Sequence, residues 1–295
     1  MKLVTYNDGR VGRVEGNRVI ALEVPTMREY FERVEAGDAP EPTGEELALD
    51  EVTLRAPIMP HKFFHTAGNF QEHHEESKRV NWSHPVLPWI VFFQNLDAII
   101  GPEEPIVYPE ALTNEMDYEL ELAVVIGKTG KFLTPEEAQD FVAGYLIFND
   151  ITARDIQREE MKSGVFSLCK GIDTFCPIGP WIVTADEIPD PANLRMELRV
   201  NGESRQVSHS SRMSVTIPEI ISHYSPMGYR AGDIVSTGTV SGVAGFSEDP
   251  ASLYLRPGDV VEAEIEGIGV LRNPVVSWES AHPAPSPRAL EHAQP

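Results

Sequence analysis

The chain has 295 residues, of which 41% are hydrophobic, and its 24 Lys and Arg against 46 Asp and Glu give a net charge of −22. A negative field of this size repels nucleic acid and anionic lipid, so we expect neither as a partner. No apolar run is long enough for a membrane span, and the first residues lack signal-peptide character, which predicts a cytoplasmic protein.

Residues 1–58 are predicted to form a small β-rich domain. Asn7-Asp-Gly separates two short alternating segments and is typical of a hairpin turn. Residues 18–22 repeat the strand pattern, and residues 27–34 indicate a short amphipathic helix. Because no group of catalytic residue types occurs here, we interpret the domain as structural, with a contribution to a subunit contact as the alternative.

A charged segment begins at residue 70, directly after a strand predicted over residues 62–69. If this segment is a helix, His73 and Glu76 lie three positions apart on one face. A carboxylate beside a histidine fixes its tautomer and raises its basicity, which suits a general base. An exposed helical turn rich in charge accounts for the same residues, and from the residues alone it is the favoured interpretation.

Two acids, Glu119 and Glu121, alternate with apolar residues in a strand predicted over residues 116–128. At this spacing their carboxylates lie on one face, about 7 Å apart at the backbone. The strand then becomes fully apolar, and like charges entering a buried strand repel each other unless a cation lies between them. Asp150 ends the next apolar segment and would supply a third oxygen ligand for Mg²⁺ or Mn²⁺. An exposed strand face that happens to carry two acids is an equally good interpretation at this point.

Further polar residues follow Asp150. Arg154 and Gln157 lie on one face of a predicted helix, where Arg154 would bind a substrate carboxylate or form a structural ion pair with Asp150. Lys170 follows an apolar stretch, so its buried charge needs a partner such as a metal-bound oxyanion or a substrate carboxylate. Residues 232–242 indicate a strand ending in a turn of small residues, whose backbone N–H groups can approach an anion.

Five segments of the chain, in order, resemble the signature motifs of the fumarylacetoacetate hydrolase superfamily. They are Asp117-Tyr-Glu-Leu-Glu, Asn149-Asp-Ile-Thr-Ala-Arg-Asp, Lys170-Gly-Ile-Asp-Thr-Phe-Cys-Pro, Ser236-Thr-Gly-Thr-Val-Ser-Gly, and Pro257-Gly-Asp followed by Asn273. Each motif alone is weak evidence, but five in the family's order are specific. The resemblance runs from about residue 68 to residue 276, so it covers most of the chain.

The resemblance implies a mixed, β-rich fold, with a β-sandwich roll of the fumarylacetoacetate hydrolase type over residues 59–280 behind the small β-rich domain of residues 1–58. The Pro- and Ala-rich residues 281–295 are predicted to form a disordered tail. Family members are usually homodimers, so a homodimer is expected. The metal that the resemblance assigns to Glu119, Glu121 and Asp150 is expected to be Mg²⁺, with Mn²⁺ or Ca²⁺ as substitutes.

The resemblance also implies roles for the other candidate residues. His73 and Glu76 correspond to the family's His-x-x-Glu dyad, although Phe70 stands where the family usually has Tyr, and His74 is an adjacent alternative to His73. The implied roles are catalysis for His73, Glu76 and Lys170, and substrate binding for Arg154, Gln157, Gly238 and Thr239. Residues 75–88 correspond to a region that often forms a lid in the family, and an ordinary surface loop is the alternative.

The activity implied is metal-dependent hydrolysis of a C–C bond in a 1,3-diketone or acylpyruvate-type 2-keto acid. His73 and Glu76 would activate water, and the metal and Lys170 would stabilise an enolate. The same residues support decarboxylation of an oxaloacetate-like 2-keto acid, or isomerisation or tautomerisation of a 2-hydroxy-dienedioate. A non-catalytic small-molecule binding protein is a further alternative. The sequence does not choose among the reactions, because they differ in lid and pocket contacts.

Overall fold

The computed structural model describes residues 1–79, 89–165 and 167–282. The predictions of a tail at residues 281–295 and a lid at residues 75–88 therefore fall mostly outside the described residues. Of the lid segment, residues 75–79 form the end of a helix. Within the described ranges, no helix is both long enough and apolar enough to cross a membrane.

One large sheet organises the chain, and its neighbouring strands are antiparallel, except that residues 234–236 pair in parallel with residues 63–65 and residues 176–177 pair in parallel with residues 99–100. Its order is β4 (Pro42–Ala48), β3 (Arg18–Leu22), β2 (Arg10–Glu15), β1 (Lys2–Tyr6), β13 (Cys176–Thr184), β11 (Val142–Asn149), β10 (Leu120–Ile126), β16 (Ile234–Thr239), β5 (Phe63–Ala67) and β6 (Ile90–Phe93), with β7 (Ile99–Ile100) beside β13. The strands β10, β11, β16 and β5 carry the candidate site.

A second sheet and several short helices complete the described fold. The sheet runs β15 (Glu203–His209), β14 (Arg195–Val200), β17 (Val260–Ile265), β18 (Gly269–Ser277) and β8 (Ile106–Tyr108), and β12 (Thr152–Ala153) pairs with β9 (Met116–Asp117). The helices are α1 (Met27–Glu35), α2 (Gln71–Arg79), α3 (Pro135–Gln139), α4 (Arg154–Met161), α5 (Leu168–Gly171), α6 (Ile217–Tyr224) and α7 (Trp278–Ala281). This mixed, β-rich arrangement confirms the predicted fold class.

Strand β10 lies in the middle of the hydrophobic core and is buried on both faces. Leu122 belongs to a core cluster that includes Leu198 of the second sheet. Val125 points the other way, into a cluster that includes Phe31 of α1. A strand that is covered on both faces needs apolar side chains in both directions, which explains the continuous apolar sequence of residues 122–126.

The N-terminal strands continue the large sheet. The hairpin at Asn7-Asp-Gly and the helix predicted over residues 27–34 are confirmed as the β1–β2 turn and α1. Strand β1 then pairs with β13, with Leu3 opposite Ile182, so four N-terminal strands extend the sheet that carries the site.

The prediction of one strand over residues 116–128 is wrong at Tyr118 and Glu119, where β9 ends and β10 has not begun. Here side-chain oxygens accept the backbone hydrogen bonds that a neighbouring strand would otherwise accept. The backbone N–H of Glu119 donates to Asn149 Oδ1 at 3.0 Å, and that of Leu120 donates to Gln206 Oε1 at 2.8 Å. The backbone N–H groups at the break therefore keep hydrogen-bond partners, and the side chain of Glu119 need not follow the alternation of a regular strand.

Candidate active site

Three carboxylates lie together where neighbouring strands begin and end. Asp150 follows the last residue of β11, while Glu119 precedes β10 and Glu121 is its second residue. Strands β10 and β11 are antiparallel, so these ends coincide in the sheet. One possible ligand atom from each carboxylate lies within 4.8 Å of the other two, and all three residues are buried. This geometry suits a divalent cation with oxygen ligands.

Lys170, on α5, lies against the carboxylates. Its Nζ donates to Glu119 Oε2 at 2.9 Å, to Thr152 Oγ1 at 2.8 Å, and also to Asp150 Oδ2. These contacts use the three N–H groups that a lysine offers. Burial opposes its charge, but the carboxylates of Asp150 and Glu119 raise the pKa of Lys170 above its usual value. Lys170 is therefore a fixed positive charge inside the site.

Arg154, at the start of α4, is 2% exposed and is held by buried partners. Its Nε lies 2.7 Å from Asp117 Oδ2, its Nη2 lies 2.6 Å from Glu119 Oε1, and its Nη1 donates to Gln157 Oε1 at 2.9 Å. Asp117 also accepts the backbone N–H of Gly245 at 2.8 Å. The carboxylate partners of Arg154 are thus Asp117 and Glu119, whereas the sequence interpretation considered Asp150.

The three carboxylates differ in electrostatic environment. Burial works against ionisation of Glu119, but the charges of Lys170 and Arg154 lower its pKa. Burial, together with the neighbouring carboxylates of Asp150 and Glu119, raises the pKa of Glu121 well above its usual value. Burial also raises the pKa of Asp150 to about 7, although Lys170 opposes this. Glu119 is therefore the member whose charge the protein compensates, whereas ionisation of Glu121 and Asp150 is disfavoured and would be favoured by a bound cation.

The predicted dyad lies on α2. His73 is 6% exposed, its Nδ1 lies 3.5 Å from Glu76 Oε2, and its ring stacks on Phe246 with centroids 5.0 Å apart. Glu76 is fixed on its other oxygen, because Oε1 accepts the backbone N–H of Gly242 at 2.9 Å. His73 lines the cavity beside the carboxylates, whereas His74 is not among the lining residues described. The structure therefore directs His73 toward the cavity.

The cavity brings eight of the ten predicted site residues together, namely His73, Glu119, Glu121, Asp150, Arg154, Gln157, Lys170 and Thr239. Glu76 and Gly238 are not among its described lining residues. Glu76 stands behind His73. Gly238 has a φ of +90°, and a Cβ there would lie 2.7 Å from the carbonyl oxygen of Thr66, so glycine permits this close approach of β16 to β5.

His65, which sequence reasoning did not single out, also lines the cavity. It lies on β5 with its Nδ1 3.6 Å from Asp150 Oδ2, and its ring stacks against Phe92 with centroids 4.3 Å apart. Burial and the charge of Lys170 lower the pKa of His65 well below its usual value, so the ring carries one N–H and one lone pair. The signal available in the sequence was a single histidine in an aromatic strand just before the dyad.

Comparisons with known proteins identify two matching families and several relatives. Residues 62–276 match the family described as fumarylacetoacetate (FAA) hydrolase C-terminal, and residues 1–57 match the family described as Rv2993c-like, N-terminal. The chain is 41% identical to oxaloacetate tautomerase YisK of Bacillus subtilis, over 77% of this chain and 74% of that protein. It is 39% identical to 2,4-didehydro-3-deoxy-L-rhamnonate hydrolase of a Sphingomonas species, over 71% of each chain.

A solved structure is similar over almost the whole chain. It is maleylpyruvate hydrolase from Sphingobium sp. SYK-6 in complex with manganese(II) and pyruvate. The identity is 28%, the TM-score is 0.75, and the match covers 94% of this chain and 99% of that one. The same fold thus occurs in an enzyme solved with a divalent cation and a 2-keto acid.

Proposed function

The chain belongs to the fumarylacetoacetate hydrolase family, and on this premise we propose that it is a metal-dependent hydrolase of an acylpyruvate-type 2-keto acid. The bond cleaved is the C–C bond between the distal carbonyl carbon and the methylene carbon. The observation that carries the proposal is the position of His73, a buried histidine that lines the same cavity as three carboxylates and has Glu76 beside it. Such a base suits water activation.

We assign the metal site to Glu119, Glu121 and Asp150, with Mg²⁺ as the proposed ion and Mn²⁺ or Ca²⁺ as substitutes. The residues fit, because carboxylate oxygens are the ligands of hard cations and Asp150 Oδ1 is buried without a hydrogen-bond partner among the described residues. When bound, the cation would act as a Lewis acid on the substrate's carbonyl oxygens. The related maleylpyruvate hydrolase, solved with manganese(II) and pyruvate, supports this assignment.

The dyad would perform the proton transfers. His73 takes a proton from water, and Glu76, 3.5 Å away, keeps the ring in the tautomer that accepts it. The water oxygen bonds to the distal carbonyl carbon, the C–C bond breaks, and its electron pair passes to the pyruvate fragment as an enolate. The acyl fragment, which now carries the water oxygen, leaves as a carboxylic acid. The enolate takes the proton from His73 and leaves as pyruvate. The fixed charge of Lys170 favours the enolate electrostatically.

Substrate binding is assigned to the remaining predicted residues. Arg154 forms ion pairs with Asp117 and Glu119, so we assign it an electrostatic role beside the substrate and no direct bidentate contact. Gln157 accepts from Arg154 through Oε1, which leaves its amide NH₂ to donate to a substrate oxygen. The backbone of Gly238 and Thr239 would receive the substrate carboxylate at the end of β16.

The test is pyruvate release from an acylpyruvate with Mg²⁺, Mn²⁺ or excess chelator. We expect turnover that the chelator abolishes, and a fall in kcat of about 10²- to 10⁴-fold in His73→Ala. Mn²⁺ binding should persist in this variant, because His73 is not one of the three carboxylates. His74→Ala is the matched control and should keep wild-type turnover. Full activity in His73→Ala would remove the water-activation role.

A keto–enol tautomerase is the second candidate, since a relative with 41% identity is named oxaloacetate tautomerase. This reaction needs only proton transfer by His73, with no attack by water. Interconversion of oxaloacetate tautomers without pyruvate release would favour it, and pyruvate release from oxaloacetate would favour decarboxylation. A protein that binds 2-keto acids but turns over neither substrate would be a binding protein.

We also propose that the enzyme is a cytoplasmic homodimer. Among the described strands, β6 lies at one end of the large sheet and exposes Val91 and Phe93, with the exposed Trp89 just before it. An edge strand with exposed apolar side chains is suited to a subunit contact. Light scattering of the purified protein measures its mass in solution, and a monomeric mass would exclude the homodimer.

A further inference from the structure

His65 has a polar ring but makes no hydrogen bond with the described residues. Its side chain is 1% exposed, and both Nδ1 and Nε2 are buried without a hydrogen-bond partner. A buried polar group left unpaired is destabilising, so an apolar side chain would be more stable here. The cost indicates that His65 has a partner in the working site.

Aromatic residues fix the direction of this ring. Phe63, two residues earlier on β5, lies parallel to it with centroids 4.9 Å apart. Phe92 is its cross-strand partner on β6 and stacks at 4.3 Å. Phe148 meets the imidazole edge at 4.9 Å. Three such contacts restrict rotation of the ring, so its nitrogens occupy defined positions.

The group that faces Nδ1 is a proposed metal ligand. Nδ1 of His65 lies 3.6 Å from Asp150 Oδ2, and this oxygen also accepts a hydrogen bond from Lys170. Asp150 Oδ1 is buried and has no hydrogen-bond partner among the described residues. One oxygen of the carboxylate therefore faces two nitrogen atoms, and the other is left for a ligand.

We propose that His65 is a positioning residue of the metal site, which holds Asp150 Oδ2 through Nδ1–H and so directs Oδ1 to the cation. Shortening the separation by about 0.6 Å brings the two atoms into hydrogen-bond range. Outer partners of this kind orient metal ligands and tune cation affinity. The inference rests on the metal site of the proposed function and adds a residue that controls how strongly the site binds.

The test measures Mn²⁺ binding to chelator-treated protein by calorimetry and by electron paramagnetic resonance, independently of turnover. His65→Phe keeps an aromatic ring in the stack and removes both nitrogens. His65→Asn brings an amide N–H near the position of Nδ1, and His65→Gln brings one near that of Nε2. Comparing the Asn and Gln variants therefore shows which of the two ring nitrogens is needed.

We expect His65→Phe to weaken Mn²⁺ binding by about 10- to 100-fold and to change the spectrum of the bound ion. His65→Asn should restore most of the affinity, whereas His65→Gln should not. Wild-type affinity in His65→Phe would overturn the proposal, and so would equal affinity in the Asn and Gln variants. Should His65→Phe fail to fold, the comparison of the Asn and Gln variants decides alone.

Glu121→Gln separates this inference from the proposed function. Loss of Mn²⁺ binding in Glu121→Gln together with normal binding in His65→Phe would retain the metal site and remove only the role of His65. Absence of Mn²⁺ binding to the wild type would remove both. Melting temperatures of the metal-free variants show whether a loss of affinity comes from the site or from misfolding.

Discussion

The large sheet holds its charges in two different ways. In the N-terminal strands, Arg18 and Glu46 form an ion pair on the surface, with side chains 58% and 48% exposed. At the site, Arg154 and Asp117 form a pair whose side chains are 2% and 0% exposed. Exposed partners remain solvated when separated, whereas a buried charge that loses its partner stays uncompensated. We infer that the free energy of unfolding depends strongly on individual charged side chains at the site and very little on those of the N-terminal strands.

The largest expected effect is that of Arg154→Ala. Removing this side chain leaves Asp117 without a cationic partner among the described residues and leaves Glu119 with Lys170 alone, which should cost about 3–5 kcal/mol of the free energy of unfolding. Urea unfolding of metal-free protein measures the loss. Arg158, on the same helix, pairs with Glu115 and is 47% exposed, so Arg158→Ala is the control and should cost about 1 kcal/mol or less. Equal losses in the two variants would contradict the comparison.

Cation binding should stabilise the protein through the site alone. At a free Mn²⁺ concentration of 100 times Kd, the free energy of unfolding should rise by about 2.7 kcal/mol, because the ion binds the folded state. Glu121→Gln should abolish this gain. Glu45→Gln, which alters an exposed acid of the N-terminal strands, should keep it. A gain in Glu121→Gln equal to that of the wild type would mean that the ion binds elsewhere.

A smaller and pH-dependent effect is expected for Glu160, which holds the start of the helix that carries Lys170. Its carboxylate accepts the backbone N–H groups of Ser167, Leu168 and Cys169 at 3.1, 2.8 and 3.0 Å. Burial raises its pKa, but these hydrogen bonds outweigh burial and lower it below the ordinary value of 4.5. The stabilisation is therefore present above pH 4.5 and is lost as the pH falls through the lowered pKa.

Glu160→Gln should lower the free energy of unfolding at neutral pH by about 0.5–2 kcal/mol, nearer the lower value because the carboxylate is partly exposed. The difference between variant and wild type should shrink as the pH falls below 4.5, since the carboxyl of the unfolded wild type is protonated first and that of the folded protein only below its lowered pKa. Urea unfolding across this range measures it. A difference that stays constant with pH would show that the carboxylate charge does not matter.

The smallest effect is expected where the charges are exposed. A double-mutant cycle on Arg18 and Glu46 should give a coupling energy of about 0.2–1 kcal/mol. At about 1 M salt the coupling should disappear, because screening then acts over roughly 3 Å. A coupling above this range that persists in salt would contradict the inference that the N-terminal ion pairs contribute little.

The parts of the fold and site that follow from local sequence could be predicted. The hairpin at Asn7-Asp-Gly could be predicted because an Asp-Gly pair between two alternating segments favours a hairpin turn. The proximity of Glu121 and Asp150 follows from their positions at coinciding ends of adjacent strands, whereas the strand alternation predicted for Glu119 fails because this residue precedes β10. These features involve chain neighbours or adjacent strands.

Features that depend on distant segments could not be predicted. Asp117 and Glu119 meet Arg154 only after the chain has folded, so the sequence indicated an ion pair but not its partners. The burial of Lys170 was expected, yet the use of all three of its N–H groups by protein oxygens was not. The local sequence of His65 showed only a histidine in an aromatic strand and could not reveal its neighbour Asp150, which follows a different strand of the sheet.

The pairing of β1 with the end of β13 has a consequence for how the protein can be divided. In the intact chain, Lys2 and Leu3 lie opposite Val183 and Ile182. A fragment that begins after residue 58 would lose this partner, and the end of β13 would present unpaired N–H and C=O groups beside apolar side chains. Such an edge recruits strands from other copies and promotes aggregation. In the intact chain the N-terminal strands thus cover this edge of β13, although none of the candidate site residues lies in them.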